Sequence, residues 1–180
     1  MILICFSIAG DFKFVKGHRA FFLESQKVML STMKSAHEPV ADGITQRFGL
    51  QLSSSMRLKL QLHAISSRFE FGIYRARSKS QLKSNLALSL QVIGQAAKVN
   101  VEEGEAHKYL EARDVSVERP IEHTAVELNA VARTIRFFVD GEQVHDGDVP
   151  IPSTWTEEVL REMFFFVRLF ERGDCVRIVD

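Results

Sequence analysis

The stretch from His123 to His145, HTAVELNAVARTIRFFVDGEQVH, decides the fold class of this 180-residue chain. Val126 and Leu128 flank the charged Glu127, and apolar residues again alternate with other residues over 135–139. Alternation with a period of two is typical of a β-strand that buries one face and exposes the other. The stretch therefore predicts two neighbouring strands.

Two short turns interrupt this alternation. Ala132-Arg133 separates the two apolar runs, and Asp140-Gly141 follows the second one. An Asp-Gly pair favours a tight hairpin, because glycine readily adopts the positive φ that such turns require. We therefore expect the second strand to turn at Asp140-Gly141 and to return along the sheet at Val144-His145.

The same period of two recurs along much of the chain. Met56–Ala64 carries five apolar side chains on one face, and Phe69, Phe71 and Ile73 continue the pattern with Arg68, Glu70 and Gly72 facing outward. These two segments predict a second hairpin. Further strands are predicted at Ile2–Ile8, Phe12–Val15, His18–Glu24, Lys27–Thr32, Asn85–Val92, Ala97–Val101, Phe164–Phe170 and Cys175–Val179, with a turn at Lys16-Gly17 and a surface loop over Ser35–Gly43.

One segment has the signals of a helix. Thr154 and Glu157 have the spacing of a capping box, and the acidic residues of the following turn suit the N-terminal end of a helix dipole. About a dozen short strands with one short helix near residues 154–162 predict an all-β fold. We expect a two-sheet antiparallel β-sandwich, or jelly roll, forming a single domain over residues 1–180. Whether this domain is part of a larger protein stays open.

The composition excludes two broad classes of function. Lys and Arg total 23, as do Asp and Glu, so the formal net charge is zero. General binding to nucleic acid or to an anionic membrane surface requires a basic field, which a neutral chain lacks. No apolar run reaches the ~18–20 residues of a membrane-spanning helix, so we expect a soluble protein without membrane insertion. Cys5 and Cys175 lie at opposite ends of the chain and predict either two free thiols or one disulfide.

The central stretch also resembles a known family. The segment TIRFFVDGEQV, Thr134–Val144, is similar to the corresponding hairpin of concanavalin A-like lectin/glucanase domains, which include laminin G-like modules, and Phe165–Leu169 and Val176–Val179 resemble the strands that follow. The resemblance implies a jelly roll that binds carbohydrates or proteins, or that hydrolyses glycans. It also suggests a secreted or cell-surface context.

The glycan hydrolases of that family carry an acidic E-x-D-x-E strand, which this chain lacks. The nearest cluster, Glu102-Glu103-Gly104-Glu105, has the pattern of a turn. Retaining hydrolysis needs two carboxyl groups held about 5–5.5 Å apart. We therefore predict no catalytic residues, with a divergent acidic pair that includes Glu127 or Glu118 as the enzymatic alternative.

Four residues are candidates for ligand binding. Arg57, Lys59 and His63 lie on the polar face of the Met56–Ala64 strand, which either binds a ligand or is simply solvated. Trp155, the only tryptophan, either stacks against a sugar or packs the helix onto the sandwich.

Three aspartates, Asp140, Asp146 and Asp148, could supply oxygens to calcium, although turn chemistry explains them equally well. No other cofactor is predicted. The leading hypothesis is a non-catalytic recognition module that binds a carbohydrate or a protein surface. A divergent glycan-active enzyme and a structural or assembly domain remain the alternatives, and the oligomeric state is not predicted.

Overall fold

A computed structural model of the chain describes residues 12–18, 20–24, 26–31, 41–49, 52, 55–64, 68–75, 86–103, 106–112 and 120–179. These ranges contain fifteen β-strands and one helix of five residues. The elements are β1 Phe14–His18, β2 Ala20–Leu23, β3 Val28–Ser31, β4 Ala41–Thr45, β5 Met56–Ala64, β6 Arg68–Arg75, β7 Leu86–Ile93, β8 Ala96–Glu103, β9 Ala106–Glu111, β10 His123–Asn129, β11 Thr134–Val139, β12 Glu142–Gln143, β13 Val149–Pro150, α1 Glu157–Arg161, β14 Phe164–Leu169 and β15 Cys175–Val179.

The strands form two antiparallel sheets. Sheet A has the order β1-β4-β14-β6-β7-β8-β9, and sheet B has the order β12-β11-β10-β5-β15-β3-β2, with β13 paired to β11. The predicted all-β, two-sheet architecture is therefore confirmed. None of the described helical residues forms a segment long and apolar enough to cross a membrane.

The core lies between the inner faces of the two sheets. Phe71 of sheet A meets Phe137 of sheet B edge-to-face, with their ring centroids 5.8 Å apart. Phe165 makes two similar contacts, each at 4.9 Å, with Phe12 and Phe48. Such aromatic pairs stabilise the packing beyond the area they bury, by about 0.5–1.5 kcal/mol each. Phe71 and Phe137 thus join the two layers, while Phe165 packs against residues that lie before β1 and after β4.

The central hairpin forms as its sequence predicts. Every residue of β10 from Thr124 to Asn129 has a partner in β11. The turn between them is fixed by Asn129, whose Oδ1 accepts a 2.8 Å hydrogen bond from the backbone N–H of Ala132. At the far end of β11, Asp140 and Gly141 both have positive φ, 47° and 87°, as a hairpin turn with two such residues requires.

The second predicted hairpin is wrong. β5 belongs to sheet B, where it pairs with β10 and β15, whereas β6 belongs to sheet A, where it pairs with β7 and β14. The chain crosses from one sheet to the other between them. Alternation specifies which face of a strand is buried, and both strands bury theirs in the same core, so the pattern could not distinguish the two arrangements.

Several boundaries also differ from the expectation. The predicted turn at Lys16-Gly17 lies inside β1, and Gly43, predicted in a loop, lies inside β4. The helix begins later than its capping signal predicts, because Thr156 rather than Thr154 caps it and its Oγ1 accepts a hydrogen bond from the N–H of Val159. The predicted strand Ile2–Ile8, Cys5, most of the Ser35–Gly43 loop and Glu118 lie outside the described residues.

Candidate functional site

Four strands of sheet B bring one row of side chains together on its solvent-facing side, here called the outer face of sheet B. Ala125 of β10 lies directly opposite Phe138 on one neighbouring strand and Lys59 on the other, and Lys59 lies opposite Val179. Residues directly opposite one another in an antiparallel pair share a face. The core-facing residues of β10, Val126 and Leu128, point the other way.

A groove with a volume of about 440 Å³ opens on this face, here called the outer groove. Its floor is Ala125, only 5% exposed, which lies between the larger side chains of Phe138 and Lys59. A methyl group between two long neighbours leaves a depression that a partner's side chain can enter. The remaining lining residues are Arg57, Leu60, Glu122, His123, Thr124, Asp140, Gly141 and Val179.

Arg57 forms one end of the outer groove. Its guanidinium lies over the ring of Phe138, 4.9 Å from the centroid, which is cation–π geometry. Nη1 is 3.9 Å from the carboxylate of Glu127, too far for a hydrogen bond. Nε has no hydrogen-bond partner among the described residues, although 37% of the side chain is exposed. The charge of Arg57 is therefore held in place but only partly compensated.

Glu127 is instead neutralised by Arg136. The Nη2 of Arg136 donates a 2.9 Å hydrogen bond to its Oε1, and the Nε of Arg136 lies 3.7 Å from Asp148. Thr134 donates a further hydrogen bond of 3.1 Å to Asp148. Glu127, one of the two residues named for the enzymatic alternative, thus serves as an acceptor for arginine on the outer face of sheet B.

Asp140 and Glu122 form the opposite end of the outer groove. The Oδ1 of Asp140 accepts hydrogen bonds from the backbone N–H groups of Glu122 and His123, at 3.0 Å and 2.8 Å. This carboxylate therefore anchors the start of β10 to the turn after β11. It also gives this end of the groove a negative charge, to which the exposed Glu122 adds.

The four predicted ligand-binding residues separate into three environments. Arg57 and Lys59 both line the outer groove. His63 is exposed on the same strand but lies four residues, or about 13 Å, beyond Lys59. Trp155 is 1% exposed and packs in the core, where its Nε1 donates to Glu103 at 3.2 Å. Its ring has no free face for a sugar. Of the two roles considered from the sequence, packing against the sandwich therefore fits the structure, and stacking against a sugar does not.

The three aspartates predicted to bind calcium do not converge. Asp140 holds backbone N–H groups, Asp148 accepts from Thr134 and lies near Arg136, and Asp146 is exposed. In the part of the chain that the structure describes, no three histidine, cysteine or acidic side chains are grouped as a metal site. Backbone N–H groups therefore satisfy Asp140, and Thr134 and Arg136 contact Asp148.

No protein-family model and no curated protein matches the chain, whereas solved structures do. The TRIM65 PSpry domain aligns with a TM-score of 0.62 and 9% identity over 96% of this chain and 93% of its own. The SPRY domain of human HERC1 aligns with a TM-score of 0.58 and 14% identity, over 94% and 97%. This chain shares the fold of these two SPRY domains.

The SPRY fold is a concanavalin A-like jelly roll, so the resemblance drawn from Thr134–Val144 is confirmed at that level. Stonustoxin contains a region of the same fold, with a TM-score of 0.55 and 13% identity over 90% of this chain and 25% of the toxin. At these identities the comparison establishes the fold of the chain and leaves its ligand to be argued from its own residues.

The outer face of sheet A of this SPRY-fold chain differs from that of sheet B. Glu70, expected to face solvent, is 3% exposed and accepts hydrogen bonds from Ser89, at 2.6 Å, and from Arg168, at 3.3 Å. The guanidinium of Arg168 in turn lies over the ring of Phe166, 4.7 Å from its centroid. Glu70 and Arg168 on this face are paired with each other, whereas Arg57 at the outer groove of sheet B is only partly matched.

Sequence reasoning did not place Ala125, His123 or Phe138 in the outer groove. Ala125 and His123 carry no chemical signal of their own, and only the register of β10 against β5 places them beside Lys59 and Gln61. Phe138 is apolar although it alternates with the core-facing Phe137 and Val139. Its contact with Arg57, two strands away, depends on the order of strands in sheet B.

Proposed function

We propose that this SPRY-fold chain is a non-catalytic recognition module that binds a protein surface through the outer face of sheet B. The observation that carries the proposal is the outer groove, where the small Ala125 lies between Phe138 and Lys59 and Arg57 stands at the rim. Aromatic and arginine side chains are enriched where proteins bind one another. SPRY domains are typically protein-interaction modules, which supports the same function.

Carbohydrate binding is the finer alternative that follows from the resemblance to lectins. Sugar sites commonly use tryptophan or tyrosine as a platform with a polar handle. The single tryptophan is buried, and the aromatic residue of the outer groove is a phenylalanine already covered by Arg57. These contacts favour a protein ligand over a glycan.

A two-part binding screen tests the proposal. The intact chain is exposed to a displayed library of natural protein segments and, separately, to a glycan array. We expect protein segments to be enriched and no glycan to be retained. Enriched segments should bind the Ala125→Trp variant at least about tenfold more weakly, since an indole on the floor fills the outer groove.

Two controls make this screen decisive. Arg75→Gln changes an arginine of sheet A that pairs with Glu162 at the end of α1, and it should leave binding unchanged. Thermal unfolding of both variants verifies that they are folded. Retention of a glycan with no enriched protein segment would contradict the proposal, and so would segments that bind Ala125→Trp as tightly as the original chain.

A further inference from the structure

The outer groove is charged oppositely at its two ends. Across β10, Glu127 lies opposite Arg57, Ala125 lies opposite Lys59, and His123 lies opposite Gln61. Arg57 therefore lies two residues along β5 from Lys59, the neighbour of Ala125, and forms one end of the groove. Asp140 and Glu122 lie on the opposite side of Ala125 and form the other end. Four residues of strand separate the two ends, a distance of about 13 Å.

The middle of the outer groove is apolar. The ring of Phe138 and the hydrocarbon stem of Lys59 wall the depression over Ala125, and Val179, which also lines the groove, lies beyond Lys59. An apolar side chain is the group that such a depression accommodates best, because both surfaces then leave water.

The cationic end suits a carboxylate. Arg57 is oriented by its stacking on Phe138, and its nearest acidic neighbour within the described residues, Glu127, is 3.9 Å away and already bound to Arg136. A guanidinium with unused donors pairs well with a planar carboxylate, to which it can donate two parallel hydrogen bonds.

The anionic end suits a basic side chain. Glu122 is exposed, and the Oδ1 of the Asp140 carboxylate accepts hydrogen bonds from two neutral backbone N–H groups, which leave its negative charge in place. The same two carboxylates disfavour a phosphate group in this groove, since a dianion would be repelled at one end more strongly than a single carboxylate.

We propose that the outer groove binds an extended segment of a partner protein that carries, within about four residues, an acidic, an apolar and a basic side chain in that order or its reverse. The carboxylate pairs with Arg57, the apolar side chain enters the depression over Ala125, and the basic group faces Glu122 and Asp140. This inference rests on the proposed function and specifies the ligand of the same site.

Selection from a phage-displayed library of random peptides of about twelve residues tests this inference with the intact chain. We expect enriched peptides to share the acidic–apolar–basic pattern. Two synthetic copies of the best peptide are then made, one with its acidic residue and one with the corresponding amide. The binding of each copy to the original chain and to Arg57→Gln is measured by calorimetry. A second pair of peptides keeps the basic residue or replaces it by glutamine. Their binding to the original chain and to Glu122→Gln is measured in the same way.

Coupling between the paired changes is the expected result. Replacing the peptide carboxylate should weaken binding to the original chain about tenfold and have little further effect on Arg57→Gln. Arg75→Gln should behave as the original chain does. Replacing the basic residue of the peptide should likewise weaken binding to the original chain and have little further effect on Glu122→Gln.

Four results would overturn the inference. If peptides bind but the changes add independently, the ligand chemistry is wrong while protein recognition stands. The same holds if phosphopeptides bind more tightly than their acidic counterparts. Dimerisation of the chain that Ala125→Trp abolishes would identify a second copy as the occupant. If neither random peptides nor natural protein segments bind, the proposed function fails as well.

Discussion

The backbone of β7 approaches Gly72 so closely that no side chain fits between the two strands. A β-carbon at position 72 would lie 2.2 Å from the carbonyl oxygen of Leu88 and 2.6 Å from the Cα of Ser89. Both are backbone atoms, so β6 and β7 would have to separate. We predict that Gly72→Ala lowers the free energy of unfolding by about 3 kcal/mol. Chemical denaturation measures this change.

Gly94→Ala is the matched control for that prediction. Gly94 lies in the turn between β7 and β8 with a φ of 58°, and a β-carbon there meets nothing within 4 Å. Its substitution should cost only the strain of the positive φ, about 1 kcal/mol. Equal stability of the two variants would show that the close approach at Gly72 is not a constraint.

Cys175 illustrates how burial sets the reactivity of a single thiol. Removal from solvent raises its pKa above the ordinary value of 9.0, and the nearby charge of Arg177 opposes this shift without reversing it. Because the thiolate is the nucleophile, we predict slower alkylation by iodoacetamide at about pH 8 in the folded chain than in denaturant.

This measurement is made on a Cys5→Ser background so that only one thiol reacts. The raised pKa of Cys175 also determines how its contribution to stability changes with pH. The folded state retains the thiol proton to a higher pH than the unfolded state, so the contribution of Cys175 to stability declines as the pH rises above its ordinary pKa. Alkylation at the same rate in the folded and denatured chain would contradict the assignment.

At the scale of elements, the turn after β11 is held to the start of β10 by one carboxylate. Replacing Asp140 by alanine removes the acceptor of two backbone N–H groups and should lower the free energy of unfolding by about 2 kcal/mol. Asparagine keeps a carbonyl acceptor and tolerates the positive φ of 47°, so Asp140→Asn should cost less than about 1 kcal/mol.

Calcium separates this structural role from a metal site. With Asp140 satisfied by backbone N–H groups, thermal unfolding of the original chain should be the same in calcium and in chelator. A rise in the unfolding temperature with calcium that disappears in Asp140→Asn would support the metal site that the sequence leaves open.

Individual elements were more predictable than their arrangement. The alternation in Met56–Ala64 and over 135–139 depends on neighbours within one strand, and the structure has strands at Met56–Ala64 and Thr134–Val139. The partner of each strand depends on residues far away in the chain. For this reason the crossing from β5 to β6 looked like a hairpin, and the pairing of β15 with β5 was not foreseen.

At the scale of the whole molecule, strand order decides what the candidate site contains. The polar face of β5 indicated Arg57 and Lys59 directly from the sequence. Their neighbours Ala125, Phe138 and Val179 come from three other strands, and only the order β11-β10-β5-β15 places them in one row. A predicted list of site residues could therefore include the charged rim but not the apolar floor.

The most direct test of the central claim is to map the binding face on the molecule. A peptide obtained from the displayed library is titrated into the isotope-labelled chain, and backbone amide shifts are followed by NMR. We predict that the largest changes lie on β5, β10 and β11 around Lys59, Ala125 and Phe138. Changes confined to sheet A, around Arg168 and Phe170, would contradict the claim that the chain recognises proteins through the outer face of sheet B.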